Sequence, residues 1–272
     1  MFKNRLDLCL VQRGLAVSRS LAQRLVMAGQ VRVDGQVVLK SSVLVNDGAV
    51  IQVDRGPAFV SRGGEKLKGA LQAFPVDVKD RICADVGAST GGFTDCLLQN
   101  GAGRVYAIDV GYGLLHWKLR NHPQVVIMER TNARFVRKLP EEVSLVTIDA
   151  SFISLKIILP VVRQWFSPDH GDVIALIKPQ FEAGKEQVAR GEGVIRDPMV
   201  HREVLMEVLT YAETQGYTVR GLICSPLVGP KGNHEFLAYL GYSPVVTHNP
   251  LEAMVESALN HMMKIGYTSS GL

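Results

Sequence analysis

The chain has no long uninterrupted hydrophobic stretch. None of its apolar runs reaches the roughly 18 residues from which a membrane-spanning helix is inferred. Its first residues, Met1 to Arg5, lead into a charged amphipathic segment and lack the basic-then-apolar order of a secretion signal. We therefore expect a cytoplasmic protein that is not inserted in a membrane.

Cysteine is scarce, and the four cysteines are scattered. Cys9, Cys83, Cys96 and Cys224 show neither the paired spacing of a zinc site nor the dense framework of a disulfide-stabilised secreted domain. We interpret them as reduced, mostly buried thiols, and we predict no metal site. Hydrophobic residues make up 47% and charged residues 21% of the 272 positions. This composition is ordinary for a globular protein, with enough material for one large or two modest domains.

The net charge is small but unevenly distributed along the chain. A net charge of +4 and a pI near 8.9 permit an anionic partner without requiring one. Up to residue 40, however, only Asp7 and Asp34 offset the basic side chains. Those basic residues are Lys3, Arg5, Arg13, Arg19, Arg24, Arg32 and Lys40. An anionic partner, if there is one, is therefore expected to bind this N-terminal segment.

The first 54 residues have the pattern of a small α+β module. Apolar residues over 5–13 predict a short amphipathic helix that ends near Gly14, and Ser18 is the predicted N-cap of a second helix over 19–28. Residues 31–38 alternate around an Asp34-Gly35 turn, which predicts a β-hairpin. Short strands are also predicted over 43–45 and 50–53.

This order resembles the αL-type RNA-binding domain shared by a small-subunit ribosomal protein, tyrosyl-tRNA synthetases and pseudouridine synthases. The matching positions are Arg5-Leu6-Asp7, Ser18-Arg19, Ala22, Leu25, Gly29, Val31, Val33, Asp34 and Gly35. The resemblance implies that Arg5, Arg19 and Arg24 bind RNA, by contacts that supply affinity and register rather than sequence selectivity. Periodicity alone fits a solvated helix face equally well. We predict the module over 1–54, a connector over 55–62 and a second domain over 63–272.

A glycine-rich turn follows the first strand of the second domain. Residues 85–93 read Asp-Val-Gly-Ala-Ser-Thr-Gly-Gly-Phe, between the apolar run 82–84 and a predicted helix start at 94–98. Such a turn lets backbone N–H groups approach a ligand at the mouth of an α/β sheet. Asp109 ends the next strand, where an acidic side chain accepts hydrogen bonds from ribose hydroxyls. The sequence therefore predicts an adenosine-bearing cofactor.

Two other motifs match this turn in part. The dinucleotide fingerprint requires glycine at the position of Ser89, so the match to an NAD site is imperfect. Residues 87–91 also fit the Gly-x-Ser-x-Gly pattern of a hydrolase nucleophile elbow, but that motif needs several strands before it and an acid and a histidine after it. A first strand ending Asp-x-Gly and a second ending in Asp better resembles methyltransferases that use S-adenosylmethionine.

The remainder of the domain alternates strand-like and helical segments. Strands are predicted over 82–86, 104–109, 124–128, 144–149, 172–178, 222–224 and 235–239, with a strong helix over 198–214 and a closing helix over 250–264. This alternation predicts an α/β fold with a doubly wound, Rossmann-like parallel sheet. The last two strands lack a clear intervening helix, so we expect an antiparallel hairpin at one edge.

Charged residues stand where the strands would deliver them beside the cofactor. Asp149 and Lys178 end two predicted strands, Glu235 opens the last one, and Lys66 belongs to the helix before the sheet. In order and context they resemble the Lys-Asp-Lys-Glu tetrad of FtsJ-like ribose 2'-O-methyltransferases. Residues 61–67, 149–154, 178–182 and 232–235 look specifically like the TlyA family, whose members join an RNA-binding module to this domain. The resemblance implies 2'-O-methylation of cytidine in ribosomal RNA.

Roles can also be suggested for individual residues. Which tetrad residue is the general base stays open at the level of sequence. The chemistry of lysine favours Lys178, with Lys66 positioning the ribose and keeping Lys178 neutral, and with Asp149 and Glu235 orienting the amines and the substrate, although the two acids favour a charged lysine. The residues expected around S-adenosylmethionine are Gly87, Ser89, Gly91, Gly92 and Phe93 at its methionine part, Asp109 at its ribose and Asn132 at its adenine. Asp85 is expected to contact the cofactor, with capping of the turn as the alternative.

Three points stay open at the level of sequence. The loop Gly184–Gly193 is interpreted either as a surface loop or as a lid that orders on RNA through Lys185 and Arg190. A non-catalytic ribosome-assembly factor is one rival function. A hemolysin, the name often given to this family, is the other, although no strongly amphipathic basic helix supports direct lysis. The expected partner is ribosomal RNA or a ribosomal subunit, without a stable protein partner.

Overall fold

A computed structural model describes residues 3–54, 56–184, 193–229, 231–245 and 247–268. The chain divides into two compact units, Met1–Ala58 and Phe59–Leu272. This division falls inside the predicted connector, while the exact domain boundaries stay predictions. The loop that we interpreted as a possible lid lies almost wholly outside the described residues, as does Arg55.

The N-terminal unit packs two helices against short strands. Its elements are β1 (Lys3–Arg5), α1 (Leu6–Gln12), α2 (Arg19–Met27), β2 (Val31–Val33), β3 (Gln36–Val37), β4 (Leu44–Asn46) and β5 (Ile51–Val53). β1 pairs with β4, and a second sheet has the order β3-β2-β5. Ser18 accepts a hydrogen bond from the Leu21 backbone N–H at 3.2 Å, which confirms the predicted N-cap. Buried apolar side chains of both helices, including Leu6, Leu10 and Val26, form the core of this unit.

The C-terminal unit is built on a seven-stranded sheet. Its strands are β6 (Ile82–Val86), β7 (Arg104–Ile108), β8 (Val125–Met128), β9 (Leu145–Ile148), β10 (Gly171–Ile177), β11 (Tyr217–Cys224) and β12 (Phe236–Tyr242). Their order is β11-β12-β10-β9-β6-β7-β8. Pairing is parallel from β10 to β8, while β12 runs antiparallel to both β10 and β11. The doubly wound α/β fold and its antiparallel edge are therefore confirmed.

Helices cover this sheet on two sides. They are α3 (Gly63–Ala73), α4 (Gly92–Gln99), α5 (Trp117–Arg120), α6 (Leu155–Val162), α7 (Pro179–Glu182), α8 (Pro198–Thr214) and α9 (Leu251–Thr268). Alternate residues of β10 belong to separate hydrophobic clusters: Ile174 and Leu176 pack with α3 and α4, whereas Val173 and Ala175 pack with α6, α8 and α9. Period-two alternation thus buries both faces of the strand.

The strand order fixes where a ligand can bind. From β6 the chain continues to β7 and β8 on one side of this strand and then returns to β9 on its other side. The direction of winding therefore reverses at β6. Ligands of open α/β sheets bind outside the carboxyl ends of the strands at such a point. Asp109, Asp149 and Lys178 directly follow β7, β9 and β10, and Glu235 precedes the antiparallel β12. All four consequently reach the same edge of the sheet.

Candidate active site

The glycine-rich turn brings β6 against the end of β9. Gly87 has φ +83°, and a Cβ atom there would lie 2.7 Å from the Asp149 carbonyl oxygen. A Cβ on Gly92 would lie 2.8 Å from the Gly64 backbone nitrogen. Both positions therefore need glycine, because a side chain would push the backbone segments apart. The turn forms one wall of a cavity at the sheet edge.

Asp109 is tied to this turn by its carboxylate. Its Oδ2 accepts a hydrogen bond from the Ser89 backbone N–H at 2.7 Å, and its Oδ1 accepts one from the Gly111 N–H at 2.7 Å. Asp109 and Ser89 line a small pocket with apolar walls that include Ala107, Leu115 and Ile127. An acid beside an apolar slot has the chemistry needed to hold a ribose and a base.

Glu129 also borders this small pocket and was missed by sequence reasoning. It follows β8, accepts a hydrogen bond from the Gly113 N–H at 2.9 Å and pairs with Arg120. The Arg120 guanidinium holds the pKa of the Glu129 carboxyl below its usual value. Its position at a strand end was the available signal, since Asp109 was found by the same rule.

Asp85 and Asn132 are placed differently from the other predicted cofactor residues. Asp85 is completely buried and accepts hydrogen bonds from Thr94 Oγ1 at 2.7 Å and Thr147 Oγ1 at 3.0 Å. Burial raises the pKa of the Asp85 carboxyl to about 7. Asn132 caps the short 3-10 helix Ala133–Phe135 by accepting a hydrogen bond from the Arg134 N–H at 3.2 Å. These hydrogen bonds give both residues a role in the local fold, while the cofactor contacts of Asp85 and Asn132 stay predictions.

The main cavity has a volume of about 900 Å³ and collects all four residues of the predicted tetrad. Its lining combines the glycine-rich turn with the start of α3, the segments after β9 and β10, and the segment before β12. Phe93 of α4 also lines it. Side chains that are up to 169 positions apart in the sequence therefore face one space.

The tetrad is arranged as two lysine–carboxylate pairs. Lys66 Nζ lies 2.5 Å from Glu235 Oε2, and Lys178 Nζ lies 2.6 Å from Asp149 Oδ1. Lys66, Lys178 and Glu235 are 8%, 7% and 2% exposed. Buried charges are stable only when they are paired and hydrogen-bonded. Each amine is thus held by an acid while bordering the cavity.

Two further polar side chains join the pairs. Lys178 Nζ donates to Ser151 Oγ at 3.0 Å and lies 3.4 Å from the Asp149 carbonyl oxygen. Gln180 Nε2 donates to Glu235 Oε1 at 3.5 Å, which links the segment after β10 to the second pair. Sequence reasoning quoted the segments 149–154 and 178–182 but did not single out Ser151 or Gln180. Their closeness to the tetrad depends on side-chain direction, which a strand-end rule does not give.

An aromatic pair, one ring exposed and the other half-buried, lines the cavity. Phe152 has φ +63° and is 89% exposed, and its ring centroid lies 4.9 Å from that of Phe181. Both rings line the cavity. A large apolar side chain held in the left-handed region is uncommon and strained. The pair therefore offers an apolar surface beside Lys178, and sequence reasoning missed it.

Profile comparisons identify the families to which both parts of the chain correspond. The FtsJ-like methyltransferase family matches residues 59–242, and the S4 domain matches residues 4–51. The first match spans more than half of the chain and includes the whole tetrad. The chain belongs to the FtsJ-like methyltransferases.

Individual relatives agree with this assignment. The 16S/23S rRNA (cytidine-2'-O)-methyltransferase TlyA of Mycobacterium tuberculosis is 48% identical over 87% of this chain and 89% of its own length. Hemolysin A of Brachyspira hyodysenteriae is 40% identical over 86% of this chain and 98% of its own. A solved structure from Streptococcus thermophilus, which carries a hemolysin name, has 40% identity and a TM-score of 0.76 with 99% of both chains covered. The TlyA-type combination of S4 and FtsJ-like domains is therefore established.

As an FtsJ-like methyltransferase, the protein uses S-adenosylmethionine. The site fits this cofactor, because the glycine turn leaves no Cβ in the way and Asp109 faces an apolar slot beside the larger cavity. Membership also overturns the dinucleotide and nucleophile-elbow alternatives. In the described residues no hydrogen bond joins the Ser89 hydroxyl to a histidine. None of the described helices has the length and apolar character needed to cross a bilayer.

Arginines of the S4 domain are partly occupied by an internal contact. Asp7 is completely buried and accepts hydrogen bonds from Arg5 Nε at 3.0 Å, Arg19 Nε at 3.0 Å and Gln23 Nε2 at 3.0 Å. Hydrogen bonding to Arg5 holds the pKa of the Asp7 carboxyl well below its usual value. The sequence prediction assigned Arg5 and Arg19 to RNA alone, and the structure adds a role in the fold. Arg24 is exposed and makes no ion pair within the described residues.

Proposed function

We propose that this methyltransferase transfers a methyl group from S-adenosylmethionine to a ribose 2'-hydroxyl of ribosomal RNA, at a cytidine. The observation that carries the proposal is the pair of lysine–carboxylate contacts that face one cavity beside the cofactor turn. The activity for which the 48% identical M. tuberculosis relative is named supports ribosomal RNA and cytidine as the target. A substrate of this kind also supports a cytoplasmic location.

The reaction needs an aligned oxygen and a place for its proton. The sulfonium of S-adenosylmethionine supplies the methyl group when the cofactor is bound. A ribose 2'-hydroxyl is a poor nucleophile at neutral pH, so its alignment and its deprotonation both lower the barrier. In the proposal, Lys66, Glu235 and Gln180 hold the ribose, while Lys178 removes the proton.

The contacts of Lys178 specify what this base must do. An ammonium donates three hydrogen bonds, and Lys178 has three acceptors: Asp149 Oδ1, Ser151 Oγ and the Asp149 carbonyl oxygen. A neutral amine keeps only two N–H groups and one lone pair. The carbonyl contact is the longest of the three at 3.4 Å, so its loss is the least costly. We infer that the lone pair is directed to the substrate at the expense of this contact.

The S4 domain is proposed to hold the RNA by its phosphates. Exposed Arg24 and the outward N–H groups of Arg19 are the proposed contacts, together with the donors that Arg5 does not use on Asp7. Such contacts give affinity and orientation. Ribosomal RNA or a ribosomal subunit is the proposed partner, and no stable protein partner is needed for this chemistry.

Methyl transfer to purified ribosomal subunits tests the proposal. Labelled S-adenosylmethionine is incubated with each subunit, and the RNA is digested for nucleoside mass spectrometry. We expect 2'-O-methylcytidine from the wild type and from the control Lys156→Ala, which removes a lysine from the Lys156–Glu207 contact away from the cavity. Lys178→Ala should give almost none. If the chain were a ribosome-assembly factor instead, all three proteins would bind the subunits and none would transfer methyl groups to the RNA.

The hemolysin names of two relatives favour one second candidate, direct membrane lysis. Leakage of dye from phospholipid vesicles measures this activity on the purified chain. We expect no leakage above the buffer control at protein concentrations that saturate methyl transfer.

A further inference from the structure

Ser151 lies two residues after Asp149 and faces the same cavity as Lys178. Its side-chain oxygen accepts a hydrogen bond from Lys178 Nζ at 3.0 Å. Ser151 is exposed, so no packing requirement explains a hydroxyl at this position. It is not one of the four tetrad residues. The contact to the amine is therefore the feature that needs a functional explanation.

Contacts at both ends hold the segment that carries Ser151 against the segment that carries Lys178. At one end, Lys178 Nζ pairs with Asp149 Oδ1 at 2.6 Å. At the other end, Glu182 of α7 accepts hydrogen bonds from Ser154 Oγ at 2.6 Å and from the Leu155 N–H at 2.8 Å. Glu182 is four positions after Lys178, and Ser154 is the N-cap of α6.

This double attachment makes the loop between Asp149 and Ser154 a rigid support. Phe152 and Phe181 add a ring contact between the same two segments. Because both ends are held, the loop cannot move away from Lys178 without breaking several contacts at once. The Ser151 hydroxyl is consequently presented to the amine in a defined direction, as a positioning group requires.

We infer that Ser151 is a positioning residue for Lys178, which directs the lone pair of this amine toward the substrate hydroxyl. The inference rests on the proposed 2'-O-methylation. In the neutral amine, one N–H is donated to Asp149 Oδ1 and the other to Ser151 Oγ. The third tetrahedral position of the nitrogen, which in the ammonium makes the 3.4 Å contact with the Asp149 carbonyl oxygen, then carries the lone pair, and the substrate hydroxyl must enter there to donate its proton. Without Ser151, the amine can rotate about its Cε–Nζ bond and lose this alignment.

The proton balance of the step is complete. The substrate O–H bond breaks and its proton becomes the third N–H of Lys178, while the oxygen forms its bond to the methyl group. The bond between this methyl group and sulfur breaks, and its electron pair would leave with S-adenosylhomocysteine. The ammonium that results keeps Asp149 and Ser151 as acceptors, and the third N–H passes its proton to solvent after product release. Ser151 does not change its protonation at any point, so its role is confined to geometry and to stabilising the ammonium.

Three proteins test the inference: wild type, Ser151→Ala and Ser151→Thr. A hydrogen bond to a charged group contributes about 1.5–3 kcal/mol, which corresponds to about a 10- to 100-fold change in rate. We expect kcat to fall by about this factor in Ser151→Ala, with KM for the subunit and the dissociation constant for S-adenosylhomocysteine unchanged. Ser151→Thr keeps the hydroxyl and should restore most of the rate.

The pH dependence separates positioning from a structural effect. An acceptor stabilises the protonated amine, so its removal favours deprotonation at lower pH. We expect the rising limb of log kcat against pH to move to lower pH in Ser151→Ala and to return in Ser151→Thr. The same shift should be seen without RNA, in the ¹³Cε resonance of Lys178, which Lys178→Arg assigns.

Failure of the inference on Ser151 and failure of the proposed function give different results. A wild type that methylates no ribosomal RNA contradicts the proposed function, and the resonance titration still decides on Ser151. An unchanged titration midpoint in Ser151→Ala overturns the inference whatever the substrate. Equal kcat values for wild type and Ser151→Ala also overturn it. A raised dissociation constant for S-adenosylhomocysteine with unchanged kcat would assign Ser151 to cofactor binding instead.

Discussion

Asp7 of the S4 domain and Asp149 of the catalytic unit both pair with cations, but the acid is the more buried partner in the first case and the cation is the more buried partner in the second. Asp7 is completely buried, and the side chains of its partners Arg5 and Arg19 are 38% and 54% exposed. At the sheet edge, Lys178 is almost completely buried, and its partner Asp149 is the more exposed of the two. A buried acid bound by surface cations holds a fold together. A buried amine that borders a cavity of about 900 Å³ is instead available to a substrate.

The difference concerns which predicted charged residues the structure brings together at one cavity and which it engages in the fold. A basic N-terminal segment predicts an anionic ligand, yet Arg5 and Arg19 of this segment also donate hydrogen bonds to Asp7 in their own domain. A lysine at the end of a parallel strand predicts a site, because the topology leads all such ends to one edge. Four predictions test this contrast between a structural and a catalytic arrangement of charge.

Lys178→Ala should produce the largest effect. Loss of a general base lowers the rate by about 10²- to 10⁴-fold. Since the variant removes Asp149's partner at a partly open site, we expect the melting temperature to change much less than it would for a core residue. Single-turnover methyl transfer and thermal unfolding measure the two quantities. A variant that loses its fold along with its rate would place Lys178 with Asp7 on the structural side.

Asp85 offers a second comparison, since it is a buried acid that two threonine hydroxyls bind and that no cation of the described residues contacts. Its pKa is about 7 in the fold, against about 3.9 in an unfolded chain. The folded state therefore binds more protons between these values, and this group stabilises the fold less as pH rises from about 4 to 7, by at most about 1.4 kcal/mol per pH unit. Urea unfolding of wild type and Asp85→Asn should reveal a flatter pH dependence in the variant. Parallel pH profiles would contradict the assignment.

Asp7→Asn should lower the stability of the S4 domain and leave catalysis by the other unit intact. Loss of the charge removes hydrogen bonds from two guanidinium groups, for which we expect about 1–3 kcal/mol. Because the folded-state pKa of Asp7 is lowered, its contribution is present above the unfolded value near 3.9 and is lost as pH falls below it. Amide hydrogen exchange over α1 and α2 measures the opening free energy. Unchanged exchange there would argue that Asp7 is dispensable to the fold.

Arg24→Ala should have the smallest effect, confined to RNA binding. One phosphate contact fewer weakens binding by a few-fold and reduces the slope of log K against log salt by about 1. Fluorescence anisotropy with a ribosomal RNA fragment across several salt concentrations measures both. An affinity loss in Arg24→Ala together with altered hydrogen exchange in α2 would mean that Arg24 also supports the fold.

Much of the fold could be predicted from the sequence because its patterns are local. The alternation of strand-like and helical segments located the strands of the large sheet. The missing helix between the last two strands predicted its antiparallel edge. Asp149 and Lys178 could be placed at one sheet edge because parallel strands present their carboxyl ends together, whereas Lys66 and Glu235 were placed by their order and context in the family resemblance. The inferences about the strands and about Asp149 and Lys178 depend on backbone order alone.

Side-chain direction is where the sequence was insufficient. Asp85 belongs to the same strand end as the glycine turn, but its carboxylate points to Thr94 and Thr147 instead of the cavity. Ser151 and Phe152 stand next to each other in a quoted motif, and only the strained backbone at Phe152 and the attachment through Glu182 direct them toward Lys178. Apart from the contact between Asp85 and Thr94, these contacts join residues 27 to 62 positions apart, and no local pattern encodes them.

A crystal structure with S-adenosylhomocysteine and a cytidine-containing fragment of ribosomal RNA would test the central claim most directly. The measured quantity is the distance between Lys178 Nζ and the target 2'-oxygen. We predict a distance of about 2.6–3.2 Å, the reach of a general base, with Asp149 Oδ1 and Ser151 Oγ still bound to the amine. A 2'-oxygen in contact with Lys66 or Asp149, with Lys178 beyond hydrogen-bond reach, would contradict it.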